Sequence, residues 1–172
     1  MVESLVKHNF ADYFKYYVNL VNDNENVISA LEHTHKQTND LLDLITEDQG
    51  NYAYTEDKWT IKELLVHLID TERIFCNRAL RFARNDKTDL PGYDHDDYVN
   101  YSGANERSIC EICKEYNVVR HATIAMFKSF TEEMLERQGT ANGNELTVLS
   151  IGFIISGHET HHVNVMNEKY LN

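Results

Sequence analysis

A single proline, Pro91, and only seven glycines punctuate the 172 residues of this chain. Proline removes a backbone donor and glycine costs a helix interior roughly 1 kcal/mol relative to alanine, so their scarcity leaves long stretches free to be helical. Apolar residues in those stretches recur at helical spacing. Val27, Leu31, Thr34, Thr38, Leu41, Leu42 and Ile45 form one stripe, placing a first long helix at about 25 to 46 with Asn24 or Asn26 as its cap. The second long helix starts at TIKE, where Thr60 caps the backbone and Glu63 answers from the third position. Its apolar set, from Ile61 and Leu64 through Phe75, Leu80 and Phe82, runs close to Arg84.

Ser108 and Glu111 repeat that spacing ahead of Ile109, Ile112, Val119, Ile124 and Met126, predicting a third helix to about Phe130. A short helical piece follows over Glu132 to Arg137, and a fourth long helix runs from Thr147 through Leu149, Ile151, Ile154 and Ile155 to near Tyr170. GTANGNE reads as their connector, and the stretch around LPGYDHDDYVNYSG as a long loop between helices two and three. Residues 1–23 are rich in aromatics and show no clear period. Four amphipathic helices of this length bury one core, so the expected class is all-α, a four-helix bundle, with residues 1–172 as a single domain.

A formal charge of -12, from 28 acidic and 16 basic residues, repels a phosphate backbone, so no nucleic-acid partner is expected. Arg73, Arg78, Arg81, Arg84 and Lys87 are interspersed with Glu72 and Asp86 and read as solvated helix surface, or else as a face for a small anion. No apolar run approaches the roughly 18 residues of a membrane span, no start resembles a signal peptide, and three cysteines make no disulfide framework. A cytoplasmic protein with no membrane partner is the expectation. Cys110 and Cys113 form a CxxC at a helix start, read as packing before redox chemistry, and Cys76 as a small buried hydrophobe. Asp89, Asp94, Asp96 and Asp97 miss the calcium-loop spacing. Their loop reads as packed surface, with a lid carrying Tyr93 and Tyr98 as the alternative. Trp59 is expected to staple onto Leu64, or to wall a pocket, and Asp70 and Glu72 to form an acidic helix face.

The chemistry is concentrated in SGHETHHVNVMNEKYL, residues 156–171. His158-Glu159-x-x-His162 matches the helical zinc-peptidase spacing, which sets two imidazoles one turn apart toward one ion. Two ligands are half a tetrahedral site. Downstream only Glu168 is available, and its offset of six from His162 puts it on the far side of a continuous helix. Upstream, His67 lies inside ELLVHLIDTER, where a buried histidine needs partners for its ring nitrogens. A metal site of His67, His158 and His162 is the sharp reading, against separate core or surface histidines. Glu159 is the candidate catalytic base, or else orients a histidine or pairs across helices. His161 points elsewhere, and His8, His33, His35, His95 and His121 read as surface or loop residues.

Taken together, KWTIKELLVHLIDTE at 58–72, RALRFARNDKTDLPGYDHDDYV at 78–99 and IISGHETHHVNVMNEKYL at 154–171 resemble the DinB/YfiT-like family of metal-dependent proteins, over residues 19–171. The resemblance implies a bundle of up-up-down-down connectivity and a divalent ion, zinc, nickel or iron, on His67, His158 and His162. It also implies thiol-dependent chemistry, since members include S-transferases using bacillithiol or mycothiol and a mycothiol-dependent maleylpyruvate isomerase, and it implies homodimers. The resulting expectation is a metal-dependent enzyme acting on a small molecule through an activated thiol or water, S-transferase-like. A non-catalytic metal- or ligand-binding bundle is the alternative, and a metallopeptidase the least favoured.

Overall fold

A computed structural model describes residues 12–171 of the chain; His8 and the first half of the aromatic-rich opening lie outside them. The four long helices are α2 (Val27–Leu42), α4 (Ile61–Ala83), α6 (Ile109–Lys128) and α8 (Val148–Val165). Shorter helices α1 (Asp12–Val18), α3 (Glu47–Gly50), α5 (His95–Asn100) and α7 (Glu132–Glu136) lie between or before them, and a π-helical turn, Met166–Tyr170, extends α8. Reciprocal side-chain and backbone caps open each long helix, at Asn26 with Ser29, Thr60 with Glu63, Ser108 with Glu111 and Thr147 with Ser150. The first long helix stops at Leu42 rather than 46, because Thr46 and Gln49 form a new cap that starts α3.

Two elements escaped the periodic reading. Helix α1 buries Phe14, Tyr17 and Val18 but leaves Tyr13 and Tyr16 exposed, so aromatics on both faces blur its period. The GTANGNE connector is a hairpin of β1 (Gln138–Ala141) and β2 (Asn144–Thr147), paired antiparallel. Asn142 and Gly143 turn it with φ of 51° and 71°, the Asn-Gly signature of a two-residue hairpin. At Gly139 an added Cβ would lie 2.2 Å from the Phe82 ring, so this strand packs closely on α4.

Side-chain contacts give the helix directions. Thr38, late in α2, bonds Glu159, late in α8, while Val27 faces Gly152 at their early ends, so α2 and α8 are parallel. His67, early in α4, meets His158 and His162 late in α8, and Tyr116, early in α6, reaches Glu159. Helices α4 and α6 therefore run opposite to α8. The expected up-up-down-down order along the chain is corrected to up-down-down-up. The order up-up-down-down holds instead going round the bundle, where α2 and α8 form one parallel pair and α4 and α6 the other. Parallel neighbours need a return connection about as long as α4 itself, roughly 34 Å, which is what the loop from Arg84 to Ser108 provides.

The core comes in two apolar clusters. One gathers Val27, Leu31, Phe75, Phe82, Phe127 and Ile151, and the other Leu41, Ile61, Leu65, Ile112, Val163 and Met166. Between them each long helix contributes buried polar groups: Thr34 and Thr38, Glu72, Arg120, and His158 with Glu159. No helix among the described residues is long and apolar enough to cross a membrane. The three cysteines are free; burial pushes the Cys76 thiol up to about 12 and raises that of Cys113.

Candidate metal centre

The polar layer is where the three sequence-predicted histidines meet. Nε2 of His158 lies 3.2 Å from Nε2 of His67 and 3.1 Å from Nε2 of His162. An imidazole nitrogen carries either one N–H or one in-plane lone pair, so His158 Nε2 can make one hydrogen bond, not two. One of the contacts is therefore unsatisfied by protein alone, whereas a cation taking all three lone pairs satisfies both. Tetrahedral zinc with Zn–N of roughly 2.0–2.1 Å would set its nitrogens about 3.3 Å apart, close to the spacing here. The donor set fits a borderline transition ion, and zinc, nickel and iron all accept imidazole.

Burial supplies the right protonation state. It is the largest cause that pushes His67 down to about 4 and holds His158 and His162 well below the ordinary histidine range, with the neighbouring histidines adding to it. Neutral rings are what a metal requires. In the metal-free protein these depressed values bear on stability. Below about 6.5 the unfolded chain binds protons that the folded chain refuses, so stability is present above that pH and is lost as pH falls toward 4. His67 alone should cost the chelator-treated fold roughly 2 kcal/mol between pH 7 and pH 5. Urea midpoints measured at the two pH values test this; equal midpoints would contradict buried neutral rings.

Helix α4 offers His67 from its second turn, and α8 carries the other two rings one turn apart. Gly157, just before His158, is where α1 crosses: an added Cβ would sit 1.9 Å from the Tyr17 carbonyl oxygen. That close approach brings the Tyr17 ring edge-on to His158, with centroids 5.2 Å apart. Trp59 lies over His67 at 4.8 Å, so it walls the site, the alternative to the staple role. The long loop is pinned by the hairpin, through Leu90 N–H to the Thr140 carbonyl and Asn142 N–H to the Leu90 carbonyl, at 3.0 and 2.8 Å. It delivers Tyr93, whose hydroxyl is 2.8 Å from Thr71 Oγ1, and Thr71 in turn approaches His67 Nδ1 at 3.5 Å. His95 is exposed, as expected, yet borders the site, with its ring 6.0 Å from that of His67. His161 turns away to hydrogen-bond with the Tyr16 hydroxyl at 3.1 Å. The histidines open onto a cavity of about 380 Å³, walled by α1, α4, α8 and the long loop.

Glu159 is not brought into this cavity. Its Oε1 accepts from Thr38 at 2.6 Å and from the Tyr116 hydroxyl, and its Oε2 lies 2.5 Å from Arg120 Nη1. Arg120 also donates to both Glu72 oxygens at 2.9 and 2.8 Å. Burial opposes the Arg120 charge, but Glu159 and Glu72 outweigh it and keep the guanidinium protonated far above its ordinary range. Glu72 is thus buried in an ion cluster rather than displayed on an acidic face. Nothing in the spacing of the sequence links Arg120 to this site, because its partners come from three other helices.

Comparison with known proteins bears on the fold. The chain matches YfiT from Bacillus subtilis, described as a probable metal-dependent hydrolase with an unusual four-helix bundle topology, with a TM-score of 0.71 and 16% identity over 83% of this chain and 82% of that one. It also matches a mycothiol-dependent maleylpyruvate isomerase with a TM-score of 0.66 and 13% identity, over 80% of this chain and 58% of the isomerase. At such identities the likeness is one of fold. By sequence, no curated protein matches. The family model of the DinB superfamily matches residues 30–166, most of the chain and all three converging histidines, and the chain belongs to that superfamily.

Proposed function

We propose that this protein is a metal-dependent enzyme in which His67, His158 and His162 hold a divalent ion and a thiol or water attacks a small molecule in the adjoining cavity. The observation that carries the proposal is the convergence of three Nε2 atoms on a face that opens into that cavity. Three protein ligands with an open side is the arrangement of catalytic sites, whereas structural sites are closed by four. Bound there, the ion would supply a lowered pKa to a coordinated thiol or water. The chain itself supplies the neutral rings, the Tyr93–Thr71 contact that steadies His67, and the Trp59, Tyr17 and Phe75 walls that exclude bulk water. Similarity in fold to an isomerase named for mycothiol favours the thiol, hence an S-transferase-like reaction. The peptidase reading loses its base, since Glu159 is engaged by Arg120, Thr38 and Tyr116; we assign Glu159 a positioning role on the helix that carries His158. A structural metal site is closed by four protein ligands, whereas among the described residues the candidate cluster holds three histidines; a bundle that binds without catalysis would take up metal and show no turnover.

The test is metal analysis of protein purified without an affinity tag, followed by assays of a chromogenic electrophile with and without low-molecular-weight thiols. We expect a stoichiometric divalent metal and thiol-dependent turnover that disappears on chelation and returns with metal. Turnover that survives complete metal removal would overturn the proposal.

A further inference from the structure

Arg78 is the charged residue that the site just described leaves unexplained. It sits six residues beyond Glu72 on α4, is 6% exposed, and lines the histidine cavity. Its Nη2 donates to the Pro91 carbonyl at 3.2 Å, and its guanidinium lies over the Phe75 ring at 5.2 Å. Both neighbours are uncharged. Arg73 and Arg81, on the same helix, pair with Glu115 and Asp86 at 2.6 Å, but no carboxylate among the described residues pairs with Arg78. Burial accordingly works against its charge. The chain has 28 acidic residues, and none of those described lines this cavity. A buried cation without a counter-charge is costly unless a ligand brings one.

We infer that Arg78 receives the carboxylate of the small molecule whose other end faces the histidines. The inference rests on the reading of this cavity as a substrate site and narrows the substrate to an organic anion. A carboxylate is favoured over a phosphate because one guanidinium forks onto one carboxylate, and among the described residues no second lysine or arginine lines the cavity to meet a dianion. Aromatic walls from Tyr13, Phe14, Trp59 and Phe75 suit a flat or apolar body attached to that carboxylate. Of the basic residues on this stretch of α4, this one turns inward, so the small-anion reading of the cluster survives for Arg78 alone among its arginines in this cavity.

The test compares benzoate with benzamide, which share a shape and differ in charge, by calorimetric titration of the chelator-treated full chain. We expect saturable benzoate binding at least tenfold tighter than benzamide, lost by a similar factor in Arg78→Gln and partly recovered in Arg78→Lys. Benzamide matching benzoate in the wild type, no saturable benzoate binding, or Arg78→Gln binding as the wild type does would each overturn the inference, and so would inorganic phosphate binding more tightly than benzoate. The wild-type comparison decides the matter even if a variant fails to fold. Metal titration of the wild type, run beside its benzoate titration, separates this inference from the metal reading. A wild type that binds benzoate but takes up no metal would sink the metal reading and leave this one standing.

Discussion

Arg120→Met should destabilise the fold by about 3–5 kcal/mol, the range for removing one partner of a buried ion pair. The guanidinium is 1% exposed and is the shared counter-charge of Glu72 and Glu159, from α4 and α8, while its Nη1 also donates to the Leu31 carbonyl and Thr34 Oγ1 on α2 at 3.1 and 2.9 Å. Methionine approximates the volume of the stem but leaves two carboxylates confined between apolar clusters, and only one of them, Glu159, keeps the neutral donors Thr38 and Tyr116. Even with Arg120 in place the three charged groups sum formally to -1, so an ion on the histidines next to Glu159 is electrostatically welcome. Urea denaturation at pH 7 measures the loss. A change under about 1 kcal/mol would mean that the cluster contributes little and that Glu159 is free for another role.

The second large effect belongs to His158→Ala, which should weaken divalent-metal binding by at least about 100-fold, beyond the range seen when only an outer partner of a ligand is removed. His158 is the middle ring of the three, within 3.2 Å of both others through the same nitrogen. Its loss leaves His67 and His162 on different helices with two lone pairs for one ion. Competition against a chromogenic chelator reads the affinity directly, and urea denaturation of the chelator-treated variant confirms that the bundle persists. An affinity within a few-fold of the wild type would show that the ion binds elsewhere.

Much of the bundle was legible before the fold was known. Caps at Thr60 and Ser108 are local hydrogen bonds between residues three apart, so the sequence displays them in full. It left Asn24 and Asn26 both open for the first helix, and did not mark the Thr147–Ser150 cap, which lacks the usual Glu or Gln. The His158 and His162 pair is local in the same sense, and His67 could be added because a histidine inside an apolar stripe requires partners. What failed was either overwritten or non-local. Helix α1 was hidden by tyrosines on its exposed face, and the hairpin was missed although Asn142-Gly143 announced it. Up-down-down-up order follows from which helix ends pack together, and each helix taken alone has the same stripe whichever way it runs.

The single proline, the helical stripes, the caps and the GHETHH turn by themselves determined that this chain is an α-helical bundle with imidazoles to offer a metal. Tertiary structure alone decided that Glu159 serves Arg120 instead of the cavity, that Trp59 and Tyr17 enclose the histidines, and that Arg78 turns inward with no counter-charge among the described residues while Arg73 and Arg81 find theirs. The reason is range: periodicity and capping act within a turn or two of helix, whereas the partner of a buried charge is chosen by the packing of segments up to 121 residues apart.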